Sequence, residues 1–306
     1  MDDTVAVIDL GSNAVRFLVA RVRPGKGFHI VRDERVQTRL GASRGVRLPI
    51  AAMGQTVVAT QRFLRSLNRR RPPRILAVAT AAVRDADNAG RLLRRLHAVG
   101  VTSIEVLSAE EEGRLGATAA IESLPFEDGM VVDLGGGSLQ ITEVRHSDVG
   151  AVVSLPIGAV RLSRRFIHDD PPSPAQVGAL RREVRRQLAD LPDTLASDTL
   201  VGLGGTIRAL ARMYLAATGR RRRGLHGVRL PAAAVADLAE RLAACNLRKR
   251  CRIPGLKADR ADVIVAGAAV IDELMNQSRH KAVTVCEQGV RHGILLREAF
   301  ARGVSA

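Results

Sequence analysis

The chain has 306 residues, 46% of them apolar but only 2% aromatic. That is ample for two domains with cores of Val, Leu, Ile and Ala, and too poor in rings for a nucleic-acid platform that works by base stacking. The net charge of +16 favours a polyanionic partner.

No apolar run reaches the roughly 18 residues of a spanning helix, and the opening Met-Asp-Asp-Thr lacks the basic and apolar regions of a signal peptide. Three cysteines, none in a Cys-x-x-Cys pair, fit a reducing cytoplasm better than a disulfide framework. A cytoplasmic protein without a membrane partner is expected.

Residues 5–22 read as a strand arriving at Asp9, a turn through Gly11, Ser12 and Asn13, and an apolar strand returning. Residues 28–38 supply a third strand. Val57, Phe63, Leu64 and Leu67 lie near helical spacing and predict an amphipathic helix over 54–68. A strand over 75–79, a helix over 90–98 and a strand over 103–107 follow, and this alternation predicts an α/β domain. Ser108 then precedes Glu110, Glu111 and Glu112 at the head of a helix predicted over 109–123. Ser-x-x-Glu is a capping box, and acids in a first turn suit the helix dipole. Three acids exceed that need, and a helix opening straight after a strand is where α/β sheets place ligands. Cap and active-site carboxylate both stand as readings.

Residues 130–140 organise the rest. Met130, Val131 and Val132 read as a buried strand ending at Asp133; Gly135, Gly136, Gly137 and Ser138 follow, then a second apolar strand to Val144. Successive glycines lose the most backbone entropy on folding, so something must require them. Bare N–H groups can nest around a phosphate oxygen, with Asp133 placed to hold a metal beside it. Residues 5–22 repeat the plan with Asp9 in the place of Asp133, which points to a duplicated architecture.

A strand over 149–155 turns through residues 156–158 into a helix. Ser173 and Pro174 have the form of a helix start, and a basic helix over 180–191 carries Arg181, Arg182, Arg185 and Arg186. A strand over 200–203 meets Gly204, Gly205 and Thr206 at the head of a helix reaching 217, which is an anion site by construction and equally an ordinary tight turn. Helices over 231–245 and 258–275, a strand over 282–286 and a helix over 288–302 complete the pattern. The expected domains are 1–124 and 125–306, with the last helix (288–306) packing back on the first.

Several segments together resemble one family in order and spacing: Asp9-Leu-Gly-Ser-Asn with Arg16, Ala79-Thr-Ala-Ala-Val-Arg-Asp, Ser108-Ala-Glu-Glu-Glu-Gly-Arg and Val132-Asp-Leu-Gly-Gly-Gly-Ser. Ser154-Leu-Pro-Ile-Gly-Ala-Val-Arg-Leu, Gly204-Gly-Thr, Asp259-Arg-Ala-Asp-Val-Ile-Val-Ala-Gly-Ala and the segment 289–296 continue the match. The family is that of exopolyphosphatases and guanosine pentaphosphate phosphohydrolases (Ppx/GppA), within the actin–hexokinase–Hsp70 ATPase superfamily. The resemblance implies two actin-like (ribonuclease H-like) α/β domains, mixed sheets flanked by helices, with an interdomain cleft. It implies hydrolysis of the terminal phosphoanhydride of inorganic polyphosphate with Mg2+, or Mn2+ in its place, or of the 5′ phosphate of guanosine pentaphosphate.

On this chain the resemblance assigns Gly11, Ser12, Asn13 and Arg16 to one phosphate and Gly135, Gly136, Gly137 and Ser138 to another. Arg84 neutralises the transferring group, Glu112 is the catalytic carboxylate with Glu111 beside it, and Asp133, joined by Asp9, binds the metal. Gly205 and Thr206 add a phosphate contact. Arg186, with Arg182 and Arg185, falls where the family keeps a basic helix for long phosphate chains. The implied partners are polyphosphate, guanosine tetra- and pentaphosphate of the stringent response, and a second copy in a homodimer, with no specific nucleic acid.

The chain departs from the family at Gln140, usually Glu, which removes one negative charge from the metal site. Cys-Glu-Gln-Gly-Val-Arg-His-Gly likewise replaces a segment that more often reads Asp-Arg-Gly with a later Glu. Stopping at 306 without the extra carboxyl-terminal helical domains of longer members, the sequence is expected to prefer shorter polyphosphates. The other functional reading is a catalytically weak regulator that binds polyphosphate or guanosine tetra- and pentaphosphate, with Gln140 in its favour and Glu112, Asp133 and both loops against.

Overall fold

The structure is a computed structural model and describes all residues except 1–2, 43–45, 69, 190, 192–196, 221 and 302–306. The chain forms two compact units, residues 1–119 with 290–306, and residues 120–289.

In the first unit β1 (Asp3–Leu10), β2 (Ala14–Arg23) and β3 (Gly27–Gln37) form an antiparallel meander. β4 (Arg74–Ala79) and β5 (Ile104–Val106) continue the sheet in parallel on the other side of β1, giving the order β3-β2-β1-β4-β5. β1 is the central strand, covered on both faces, so Val5, Ala6, Val7 and Ile8 are buried in an unbroken run instead of alternating. One face packs α1 (Ile50–Arg65) and α3 (Ala89–Ala98), with Phe17 of the sheet stacked on Phe63 at 4.8 Å between centroids. The other face takes α4 (Ala109–Ile121) and α11 (Val290–Ala301), whose Leu115, Ile294 and Leu295 meet Val5, Val7 and Leu18. A Cβ at Gly293 would strike the Leu115 carbonyl, so only glycine lets these two helices cross here.

Helix α1 starts four residues earlier than its spacing predicts. Pro49 holds an extended N-cap conformation, and Ala52 and Met53 are already buried in the first turn. The short helix α2 (Ala81–Arg84) has no counterpart in the sequence pattern, because four residues carry no period to read.

The second unit holds β6 (Gly129–Leu134), β7 (Leu139–Arg145) and β8 (Asp148–Leu155) as another antiparallel meander. β9 (Leu200–Leu203) runs parallel to β6, β10 (Arg229–Pro231) edges the sheet, and β11 (Ala282–Val285) lies parallel to β9, giving the order β10-β11-β9-β6-β7-β8. The strand–loop–strand plan read twice from the sequence is thus the opening hairpin of a meander in each unit. Around this sheet lie α5 (Ala159–Phe166), α6 (Pro174–Leu188), α7 (Gly204–Ala217), α8 (Ala232–Ala243), α9 (Leu247–Arg250) and α10 (Ile264–Gln277).

Helix α6 is one helix from Pro174, capped by the Ser173 hydroxyl, which accepts from the Gln176 amide at 3.4 Å. Every residue of α10 from Ile264 to Met275 is buried, including Asp272 and Glu273. Two buried carboxylates are tolerated because Arg181 of α6 donates to both, at 2.6 and 2.7 Å. Among the described residues no helix is long and apolar enough to cross a membrane.

Candidate active site

In the first unit the functional candidates gather where β1 and β4 end. Asp9 lies opposite Arg16 in the β1–β2 register. Burial pushes the Asp9 carboxyl above its usual range, against the pull of Arg16 and Arg291. The turn between the strands closes with Gly11 N–H on the Ala14 carbonyl at 3.2 Å. Its outer side is held by a short helical turn after β3. The Gly41 amide donates to the Ser12 carbonyl at 2.8 Å, and the Thr38 and Arg39 amides to that of Asn13 at 3.2 and 3.0 Å. Asn13 Oδ1 accepts from Gln37, whereas Asn13 Nδ2 is buried with no hydrogen-bond partner. A buried orphan donor is costly unless a ligand or water answers it, and an anion would.

The three glutamates of α4 divide into three jobs. Glu110 is exposed and pairs with Arg114 one turn on, at 3.0 Å. Glu111 closes the capping box: its carboxylate accepts from the Ser108 amide at 2.7 Å, and its own amide donates to the Ser108 hydroxyl at 3.1 Å. That amide, and then the hydroxyl, hold the Glu111 carboxyl below its usual range. Glu112 turns inward, 8% exposed, and accepts from Arg84 Nη1 at 3.2 Å. Arg84 stands at the end of α2 and is fixed by a second donation from the same nitrogen to the Leu107 carbonyl at 2.9 Å. The capping role thus falls to Glu111, and the adjacent Glu112 is left as the inward carboxylate paired with Arg84.

In the second unit Asp133 stands one residue before the end of β6, directly opposite Gln140 of β7. The glycine loop between them turns its carbonyls toward the head of α5. Gly135 O accepts from the Ala159 amide at 3.1 Å, Gly136 O from Val160 and Arg161 at 2.9 and 3.0 Å, and Gly137 O from Arg161 Nε at 2.8 Å. With the carbonyls anchored, the amides of Gly136, Gly137 and Ser138 donate to no backbone carbonyl among the described residues. A row of such N–H groups suits an anion. Gly158 sits against this loop so closely that a Cβ would overlap the Gly136 and Gly137 carbonyl carbons and the Ser138 nitrogen. The local pattern at Gly158 and Arg161 shows a turn leading into a helix; their buttressing role depends on packing against the loop more than 20 residues earlier, for which the sequence carries no local sign.

The third glycine turn adjoins Asp133. Gly204 has φ +93°, and a Cβ there would stand 2.9 Å from Asp133 Oδ1, so glycine serves both the turn and the carboxylate. Gly205 lies under the Arg260 guanidinium, where any side chain would collide with it. Thr206 is buried against Gly267 of α10, its hydroxyl turned into the packing between the two helices. Arg186 is exposed on α6, with Nε and Nη2 both donating to Glu183 at 3.0 Å. Arg185 approaches Glu273 at 3.4 Å.

Among the described residues no group of three or more His, Cys, Asp or Glu could cage a metal. Mg2+ does not require one: it binds through one or two carboxylates and completes its shell with water and substrate phosphates. Asp133 offers a carboxylate. Across from it Gln140 is 1% exposed, its Nε2 donating to the Ser138 and Ser154 hydroxyls at 2.7 and 3.2 Å, and its Oε1 is buried with no hydrogen-bond donor. An orphan carbonyl oxygen beside a carboxylate fits an oxygen-seeking cation, even though Gln140 is neutral.

Comparisons with known proteins identify the family and the fold. The model of the Ppx/GppA phosphatase family matches residues 18–301. Exopolyphosphatase 2 of Mycobacterium tuberculosis is 32% identical over 314 residues, covering 95% of this chain and 97% of that protein. The crystal structure of the Aquifex aeolicus Ppx/GppA family member superposes with a TM-score of 0.80 at 30% identity, covering 97% of this chain and 98% of that one. An exopolyphosphatase structure from Cytophaga hutchinsonii, 24% identical, has the same fold, with a TM-score of 0.89 over 97% of this chain and 98% of that one. With a two-unit α/β architecture of actin-like type and the glycine loops, buried glutamate and arginine in place, the chain belongs to the Ppx/GppA phosphatase family.

Proposed function

We propose that the protein is an exopolyphosphatase, removing the terminal phosphate of inorganic polyphosphate with Mg2+, and that guanosine pentaphosphate is a second substrate. The observation that carries this is Glu112, buried and alone of the three α4 acids directed at Arg84. A surface cap would not need that burial, and a buried carboxylate beside an arginine suits a group that must hold and deprotonate water.

In the reaction, water attacks the terminal phosphorus and gives its proton to Glu112. The bond from that phosphorus to the bridging oxygen breaks, leaving orthophosphate and a polyphosphate one unit shorter. Arg84 is engaged by Glu112 in the structure; the terminal phosphoryl oxygens compete for its guanidinium, and Glu112 is then released toward the water. Asn13 and Arg16 are donors for phosphate oxygens in the first unit, and the Gly136, Gly137 and Ser138 amides are donors in the second; donors fixed in advance are the largest contribution in phosphoryl transfer. Mg2+, held by Asp133 with Gln140 Oε1, would neutralise phosphate charge when bound. Family membership with a named exopolyphosphatase relative supports this reading.

The test is phosphate release from polyphosphate with Mg2+ by wild type and Glu112→Gln. The variant is expected to lose about 10²–10⁴-fold in kcat while still binding polyphosphate. Gln140 favours one other reading, a regulator that binds the same anions without turning them over; tight binding with no release by wild type would establish that instead.

A further inference from the structure

We propose that Ser154 is a positioning residue of the cation site: with Ser138 it holds the Gln140 side-chain amide by its nitrogen, which keeps the carbonyl oxygen turned toward the site. This rests on the reading of Asp133 and Gln140 as ligands of Mg2+.

The register builds the arrangement. Asp133 of β6 stands opposite Gln140 of β7, and Gln140 stands opposite Ser154 of β8, the last strand of that sheet. Directly opposed residues share a face, so the three side chains form a row with Gln140 in the middle. The two ends of its amide differ in chemistry: the nitrogen has two hydrogens to donate, and the oxygen only accepts. Nε2 donates to the Ser138 hydroxyl at 2.7 Å and to the Ser154 hydroxyl at 3.2 Å. Both hydrogens are thereby answered, while Oε1 is buried without a donor.

The competing state is the same amide rotated by half a turn. Oε1 would then accept from the two hydroxyls, and two N–H groups would face the site. Such donors suit a carboxylate or a phosphate and repel a cation. Ser154 discriminates between the two states. Without its hydroxyl, the reversed oxygen would still be answered by Ser138, whereas the observed orientation would leave one buried N–H with no acceptor, which is the costlier loss. A glutamate at this position, usual in the family, has two equivalent oxygens and nothing to orient; the hydroxyls would simply donate to it. Ser154 thus matters to the cation because residue 140 is an amide.

The experiment measures Mg2+ binding by calorimetry in wild type, Ser154→Ala, Ser154→Thr and Ser154→Val, and in Gln140→Glu with and without Ser154→Ala. Thermal melts are run in Mg2+ and in chelator. Ser154→Ala should raise the Mg2+ Kd about tenfold, the effect of an unanswered buried donor, and shrink the rise in melting temperature that Mg2+ causes. Ser154→Thr keeps the hydroxyl and should stay within about twofold of wild type; Ser154→Val, of the same shape without it, should match the alanine variant. In the Gln140→Glu background, Ser154→Ala should leave the Kd within about twofold or lower it, so the two changes are coupled. An unchanged Kd in Ser154→Ala, with a changed one in Gln140→Glu, overturns the proposal and leaves the metal reading standing. Equal weakening in both backgrounds also overturns it, because Ser154 then serves the strand and not the amide. If wild type binds no Mg2+, or Gln140→Glu binds it no better, the metal reading of Gln140 fails and the proposal falls with it. Should Ser154→Ala not fold, the threonine and valine variants decide by the same comparison.

Discussion

Gly158→Ala is the sharpest test of the loop of the second unit. Gly158 has φ −67° and ψ 153°, an extended conformation that alanine also adopts, so any cost is steric and not conformational. The added Cβ would stand well under 3.0 Å from the carbonyl carbons of Gly136 and Gly137 and from the Ser138 nitrogen, where ordinary contact begins at 3.4 Å. These are backbone atoms that cannot rotate aside, so loop and helix must part by about 1 Å. Overpacking of this kind costs about 1–3 kcal/mol, and each stretched amide–carbonyl bond between α5 and the glycine carbonyls adds about 1 kcal/mol. A melting temperature lower by about 10–20 °C follows for a unit of this size. The displaced amides should lower kcat/KM for polyphosphate about 10²-fold, as a shift of that length does for positioned groups. Gly178→Ala in α6 is the control: its Cβ meets nothing closer than Arg182 Nη1 at 3.5 Å, so it should stabilise slightly and leave turnover alone. If Gly158→Ala melts and turns over like wild type, the loop is not held by α5 in the way described.

The Asp33–Arg291 pair sets an acid limit on the first unit. Burial opposes ionisation of Asp33, but two hydrogen bonds from Arg291 and the nearby charges outweigh it and hold the carboxyl below its usual range. A lowered folded value means that the stabilisation is full above the ordinary carboxylate pKa and is lost as pH falls through the depressed one. Asp33→Asn should therefore cost about 1–2 kcal/mol at pH 7, a figure discounted because Asp33 is 49% exposed while Arg291 is 5%. The gap to wild type should close on acidification; a gap that is constant with pH argues against the pair. Gln140→Glu should tighten Mg2+ binding measured by calorimetry and lower the melting temperature in chelator, since a buried carboxylate would then face the half-buried one of Asp133. Equal Mg2+ affinity in the two proteins would remove Gln140 from the metal site.

The parts of the fold that follow from local pattern were legible in the sequence. The buried run of β1, the meander hairpins and the glycine loop after Asp133 all announce themselves within about ten residues. Helix ends drifted where capping or burial decided them, as at Pro49 and Ile50. The site was legible only as a set of residue types. Glu110, Glu111 and Glu112 look alike in sequence, and their separate roles depend on which one faces Arg84, 28 residues away. Gly158 had no local reason to be glycine; the reason lies in another segment.

The chain leaves the first unit after residue 119 and re-enters it at 290, with 170 residues of the second unit between. Until α11 arrives, Val5, Val7, Leu18, Ala20 and Val22 lack the cover that Ile294, Leu295 and Ala299 provide. At typical synthesis rates of about 5–20 residues per second, that apolar face waits roughly 10–30 s on the ribosome after its strands have been made. The order of completion thus inverts the order of translation: the second unit has its whole sequence first, and the amino-terminal sheet is sealed only afterwards. In the cell that open face is a target for chaperones, and a truncation that removes α11 would expose it permanently while leaving every loop residue of the first unit in place.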